Sequence, residues 1–192
     1  KAGQTGSVQI SFRPRARGVA AVAMTVRSND LDLTNVEIAL RGSGVQAQLS
    51  AQPTALQFGS VAVGAFVDTN IVLSNAGNAT LSLRNAFFDN SAFRLLSSLP
   101  ASLEPGQSAL LKVRFVPLVA RGISSRLVVV AGDGSNVEIQ VDGVGTASDI
   151  NVSSVALDFG TVDLATARVL ELGVSNSGNA TLRIARLRLT GD

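Results

Sequence analysis

The sequence is 192 residues long, 46% hydrophobic and 16% charged, with a formal net charge of +2. That apolar content excludes general disorder, and the length suits one large all-β domain or two of ordinary size. There is no Cys, His, Tyr or Trp, which excludes disulfides, thiolate metal sites and imidazole-based catalysis.

Along the chain, short apolar runs alternate with turn residues, and no helical period of useful length appears. From the start, Gly3-Gln4-Thr5 leads to Phe12 and Pro14, and Arg13, Arg15 and Arg17 form the one basic cluster. Asn29, Asp30 and Asp32 share a polar loop, followed by Val36-Glu37-Ile38, Gly42 and Gly44. Gln46 to Ser50 and Ala55 to Phe58 are expected to form a first strand interrupted near Pro53, as an edge strand permits. Phe66 to Ser74 is the next strand. The turn Asn75-Ala76-Gly77-Asn78 comes after it, where Gly and Asn suit positive φ.

Thr80 to Arg84 returns with Leu81 and Leu83 on one face. A short strand over Phe93 to Leu96 precedes the turn Pro105-Gly106. In the strand Ala109 to Phe115, Leu111, Val113 and Phe115 point one way and Lys112 and Arg114 the other. Ile123 to Ala131 reads as the most buried strand, with Leu127 to Val130 apolar on both faces. Gly132-Asp133-Gly134 is a hairpin turn, and Val137 to Val141 is the closing strand. The connection near Thr146-Ala147-Ser148 is short, which predicts stiff coupling between the segments on either side of it.

The chain repeats itself. Phe58-Gly59 recurs as Phe159-Gly160, and Asn75, Gly77 and Asn78 recur as Asn176, Gly178 and Asn179, each 101 residues on. Val36-Glu37-Ile38 recurs as Val137-Glu138-Ile139 at the same spacing, whereas Phe12 and Pro14 match Phe115 and Pro117 at a spacing of 103. The expected organisation is therefore all-β: tandem immunoglobulin-like β-sandwich modules with a period of about 101 residues. Residues 45–146 form a complete module, 1–44 the C-terminal half of one, and 147–192 the N-terminal half of another. Two explanations stand for the halves: a window cut from a longer array, or completion of 147–192 by a 1–44 segment. A half-sandwich leaves strand edges unpaired and a core face wet. Since the first residue is Lys rather than Met, a longer gene product is expected.

As a set, Leu56-x-Phe58-Gly59-x-Val61-x-Val63-Gly64, Leu73-Ser74-Asn75-Ala76-Gly77-Asn78, Leu103-Glu104-Pro105-Gly106, Phe115-x-Pro117 and Val141-Asp142-Gly143-Val144-Gly145 resemble one family. It is the ASPM–SPD-2–Hydin (ASH) type of immunoglobulin-like domain, related to the major sperm protein fold. The chain looks most similar to the choice-of-anchor D domains of bacterial proteins. The resemblance implies long extracellular, cell-surface or periplasmic proteins and no catalytic residues, since the motifs are packing and turn positions.

Chemistry is sparse. Asp68 and Asp89 are a carboxylate pair that nothing selects over solvated acids. Asp30 and Asp32 are candidate oxygen ligands for Ca²⁺, against a polar loop with local side-chain to backbone bonds. Arg13, Arg15 and Arg17 are candidates for assembly or contact with an anionic surface. Residues 1–44 carry net +3 and 147–192 net −1, a polarity suited to head-to-tail docking. Asn78, Asn151 and Asn179 begin glycosylation sequons that read better as turns. No cofactor, no enzyme activity and no nucleic-acid partner are expected, and no apolar run is long enough to span a bilayer. The expected function is a structural repeat unit that assembles by completing half-modules, through self-association or neighbouring immunoglobulin-like modules. The alternative is a protein- or glycan-binding module of an adhesin or envelope protein.

Overall fold

The computed structural model describes residues 3–191. All regular structure among them is β-strand. β1 (Gly18–Arg27) and β2 (Asn35–Gly44) form an antiparallel hairpin, paired from Gly18↔Gly44 to Arg27↔Asn35.

Two sheets come next. β3 (Leu49–Gln52), β5 (Val67–Asn75), β7 (Phe93–Leu95) and β9 (Ser108–Phe115) make a four-stranded sheet in the order β3-β5-β9-β7. β4 (Ala55–Ala62), β6 (Leu81–Phe88), β8 (Ser102–Leu103), β10 (Gly122–Ala131) and β11 (Asn136–Thr146) make a five-stranded sheet in the order β4-β11-β10-β6-β8. Finally β12 (Ile150–Val152) pairs antiparallel with β13 (Val174–Asn176).

The interrupted first strand expected around Pro53 is instead two strands in different sheets. β3 pairs antiparallel with β5, and β4 pairs parallel with β11. Proline has no N–H to continue a ladder, so pairing stops there and the chain crosses from one sheet to the other. The parallel ladder shifts register between Gln57↔Asp142 and Ser60↔Val144. Phe58 and Gly59 therefore stand opposite Gly143 alone, a bulge in which Gly59 adopts φ of +67°.

Alternation builds the core. Ile71, Leu73, Leu111, Val113 and Phe115 face inward from one sheet, and Leu127, Val129, Ile139 and Val141 from the other, all fully buried. Each contributes about 1.5–3 kcal/mol by leaving water. Phe58, Phe93 and Phe115 meet between the sheets, with ring centroids 4.7–5.6 Å apart. The outer face of β10 is less covered than its apolar run predicts, with Val128 and Val130 only half-buried.

Outside this sandwich the alternating pattern persists without its ladder. Residues 8–12 and 156–163 carry apolar side chains at strand spacing yet lie outside any strand. Their counterparts 111–115 and 55–62 are held by β5 and β7 and by β11 respectively. Strand structure needs a partner to bond to, which a local pattern does not supply.

Candidate functional site: the asparagine turns at the segment joints

Of the residues that the sequence singles out, the recurring turn asparagines are brought together most fully. They converge on the stretch that leaves β2 and enters β3. The Nδ2 of Asn78 donates to the carbonyl of Gly44, the last residue of β2, at 3.0 Å, and its Oδ1 accepts from the N–H of Gln46 at 2.8 Å. The backbone N–H of Asn78 bonds to the carbonyl of Gln46 at 3.0 Å. The Oδ1 of Asn75 accepts from the N–H of Gln48 at 3.2 Å, and the N–H of Ala76 donates to the carbonyl of Gln48 at 2.8 Å. Every second residue of the connection is thus fastened to one turn.

The stretch leaving β11 is held the same way. Asn179 Nδ2 donates to Gly145 O at 2.8 Å and its Oδ1 accepts from Ala147 N at 2.9 Å. Asn179 N reaches Ala147 O at 3.0 Å, Asn176 Oδ1 takes Asp149 N at 3.1 Å, and Ser177 N reaches Asp149 O at 2.8 Å. The five bonds keep their order and differ by at most 0.2 Å between the joints.

The glycine in each turn has a different role from the one expected of it. Gly77 and Gly178 are not among the residues with positive φ. Close approach requires them. A Cβ on Gly77 would overlap the carbonyl of Gln46 and stand 2.7 Å from Gln48 N, and one on Gly178 would overlap Ala147 O and stand 2.7 Å from Asp149 N.

Asn75 also holds β8. Its Nδ2 also donates to Leu103 O at 3.0 Å, beside Ala79 O at 2.7 Å, and the residue is 1% exposed. Leu103 leads into the turn over Pro105-Gly106, closed by Gln107 N–H to Glu104 O at 2.9 Å. Pro117 is fully buried, and its carbonyl accepts from Gly64 N at 3.0 Å.

The three arginines of the basic cluster are exposed, and one of them reaches the joint: Arg17 Nη1 donates to Ala76 O at 2.8 Å. In the acidic loop, Oδ1 of Asp30 accepts from Asp32 N and Leu33 N at 2.9 Å each. Those backbone donors hold its carboxyl below the usual carboxylate range. Among the described residues no three acids are gathered to hold a metal ion.

Asp68 and Asp89 find separate partners. Asp68 pairs with Arg114 at 2.7 Å and with Lys112 at 3.4 Å. The Arg114 hydrogen bonds, aided by Lys112, bring its carboxyl down to about 2. Asp89 accepts from the Ser125 hydroxyl and from Arg126 N–H, which also lower it. Neither is a carboxylic acid kept protonated near neutrality, as an acid catalyst would need to be. Phe66, read from the sequence only as the start of a strand, is a 57% exposed ring with Cζ of Arg114 3.8 Å from its centroid.

The HYDIN/CFA65/VesB-like immunoglobulin-like domain model matches residues 47–144, about half of the chain. The chain belongs to that family. The match falls on the sandwich, from within the clamped connection to Val144 in β11, the stretch in which the ASH-like motifs lie but for their final Gly145. An immunoglobulin-like domain of this family is a non-catalytic one.

Among solved structures, a protein of unknown function from Porphyromonas gingivalis W83 is 18% identical, over 69% of this chain and 68% of that one, with a TM-score of 0.46. The ASH/PapD-like domain 7 of human CEP192 is 15% identical over 50% of this chain and 84% of that one, TM-score 0.42. The VesB protease of Vibrio cholerae is 19% identical over 50% of this chain and 32% of that one, TM-score 0.41. No curated protein matches the chain. No helix among the described residues is long and apolar enough to cross a membrane.

Proposed function

We propose that this family member is a structural repeat unit, built of tandem immunoglobulin-like modules with a period of about 101 residues, in a bacterial surface, secreted or filamentous protein of the choice-of-anchor D kind. Residues 45–146 are the complete module, and 1–44 and 147–192 are halves that complementary halves complete. One observation carries this: residues at core positions of the sandwich are uncovered at matching positions on either side. Phe115 is 0% exposed and Phe12 53%; Phe58 is 9% exposed and Phe159 45%. Ile10, Val26 and Ile38 on one side, and Leu157, Leu172 and Val174 on the other, are exposed in the same manner.

Faces of that composition are costly in water and suit strands of their own kind. The equal register of β1–β2 and β10–β11, matched at spacings of 103 and 101, supports the repeat. So does that of β12–β13 and β3–β5, matched at 101. The basic 1–44 and the acidic 147–192 suit head-to-tail docking, with Arg13, Arg15 and Arg17 as its positive side. A bacterial source agrees with fourteen of sixteen basic residues being Arg. An extracellular or cell-surface site, or the periplasm, suits an array of this type.

The test is the molar mass of the 192-residue chain across a dilution series. Association that deepens with concentration, and is abolished by Phe12→Asp or Phe159→Asp and weakened by Glu at Arg13, Arg15 and Arg17 together, is the expected result. The central thermal transition should stay unchanged in these variants. A compact monomer at every concentration would overturn assembly. A second function, binding of a protein or glycan, has the exposed Phe66 under Arg114 in its favour. It would show as a ligand lost on Phe66→Ala with self-association intact.

A further inference from the structure

We propose that the asparagine turn locks each joint, so that successive modules repeat one rotation and translation and the array is a regular rod. This rests on the proposed function, with 1–44, 45–146 and 147–192 as a half, a complete module and a half of successive modules. Four residues, Val45 to Gln48, join the end of β2 to the start of β3. A free tetrapeptide would act as a hinge. Here Gln46 and Gln48 are each bonded through both N–H and carbonyl to the turn of the module they lead into. That fixes the connection to the downstream sandwich. One further bond then crosses to the upstream strand: Asn78 Nδ2 to Gly44 O.

Gly44 is itself held on its own side. A Cβ there would overlap Ala16 O and stand 2.9 Å from Pro14 Cβ, so the strand end lies tight against the 14–16 stretch. The crossing amide therefore ties the end of β2 to the turn of the sandwich that follows. Asn179 ties Gly145 in the same way, with Gly145 closed against Val119 O and Pro117. The two joints have these five bonds in common, in the same order, so each turn sets its connection in a like geometry. Arg17 to Ala76 O adds a second crossing bond at the first joint.

Asn78 is exposed, so replacing it leaves the core alone. The chain has no Cys, so spin labels can be placed at Thr25→Cys with Asn70→Cys across the first joint, and at Asn70→Cys with Asn151→Cys across the second. Pulsed dipolar spectroscopy on dilute, unassociated chain reads the width of each distance distribution. The lock requires narrow distributions in the parent. Asn78→Asp keeps the acceptor for Gln46 N–H but removes the donor to Gly44 O. It should widen the first distribution at least twofold and leave the second unchanged, and Asn179→Asp should do the reverse.

A broad parent distribution overturns the lock, as does a first distribution that stays narrow in both Asn78→Asp and Asn78→Ala. Because dilute chain is measured, loss of self-association would leave these widths as they are. A slack joint, conversely, would leave the molar-mass result standing.

Discussion

Asp68 and Arg114 stand directly opposite each other on β5 and β9, and their side chains close a two-point ion pair of 2.7 and 2.9 Å. The same guanidinium lies over Phe66, its Cζ 3.8 Å from the ring centroid, so one arginine is held by a carboxylate and a ring together. Arginine rather than lysine satisfies both, because its planar fork can do so at once.

The depressed carboxyl gives the pair a pH signature. Asp68 titrates at about 2 in the folded chain, below the ordinary aspartate value of about 3.9 in an unfolded one. Its contribution is therefore whole above about pH 4 and is lost as pH falls toward 2. Asp68→Asn should lower the central transition temperature at pH 7 and lessen its decline between pH 4 and 2. A parent and variant with parallel transition temperatures across that window would show that the pair contributes nothing to stability.

Equivalent phenylalanines should differ in value. Phe115→Ala empties a site between Phe58 and Phe93 and should cost roughly 3–5 kcal/mol of central-domain stability in urea. Phe12→Ala, at the matching but uncovered position, should change it by no more than about 0.5 kcal/mol in dilute chain. Equal losses would mean that the face bearing Phe12 is covered in solution.

The glycine under each ring sharpens that comparison. A Cβ on Gly143 would lie 2.5 Å from the Phe115 ring, and one on Gly42 would lie 2.6 Å from the Phe12 ring. Phe115 is enclosed and cannot yield, so Gly143→Ala should cost about 1–3 kcal/mol by overpacking. Phe12 is open to solvent on one side and can turn away, so Gly42→Ala should leave unfolding of the dilute chain almost unchanged.

The strands of the sandwich were legible because their signal is local. Leu111, Val113 and Phe115 alternate with Lys112 and Arg114, and that pattern alone sets which face is buried. Sheet membership was not. The first strand divides at Pro53 because of partners more than 80 positions away, Gln140 to Asp142 for Ala55 to Gln57. The joint was hidden for the same reason. Asn75-Ala76-Gly77-Asn78 looks like a turn closing on itself, whereas Asn78 bonds to Gly44 and Gln46, and Gly77 makes room for another segment's backbone rather than supplying a positive φ.

Asn75 gives the last test, because its amide is the buried hub of the turn. Its Oδ1 accepts from Gln48 N and Gly77 N, and its Nδ2 donates to Ala79 O and Leu103 O. Asn75→Ala takes a partner from these four backbone groups, with the bond to Leu103 O buried, and a buried polar group left unpaired costs about 1–3 kcal/mol. Asn75→Asp preserves the shape and the acceptor but sets a carboxylate against two carbonyl oxygens, so it should destabilise the central domain with a pH-dependent loss that eases in acid as the carboxyl protonates. The sign comes from linkage, since like-signed neighbours raise the folded pKa above the unfolded one. Asn176 keeps the bonds to Asp149 N, Gly178 N and Ala180 O and is exposed. Asn176→Asp should therefore leave the central transition unmoved at every pH. Equal effects of the two substitutions in parallel urea titrations at pH 4 and pH 7 would remove burial as the source of the difference.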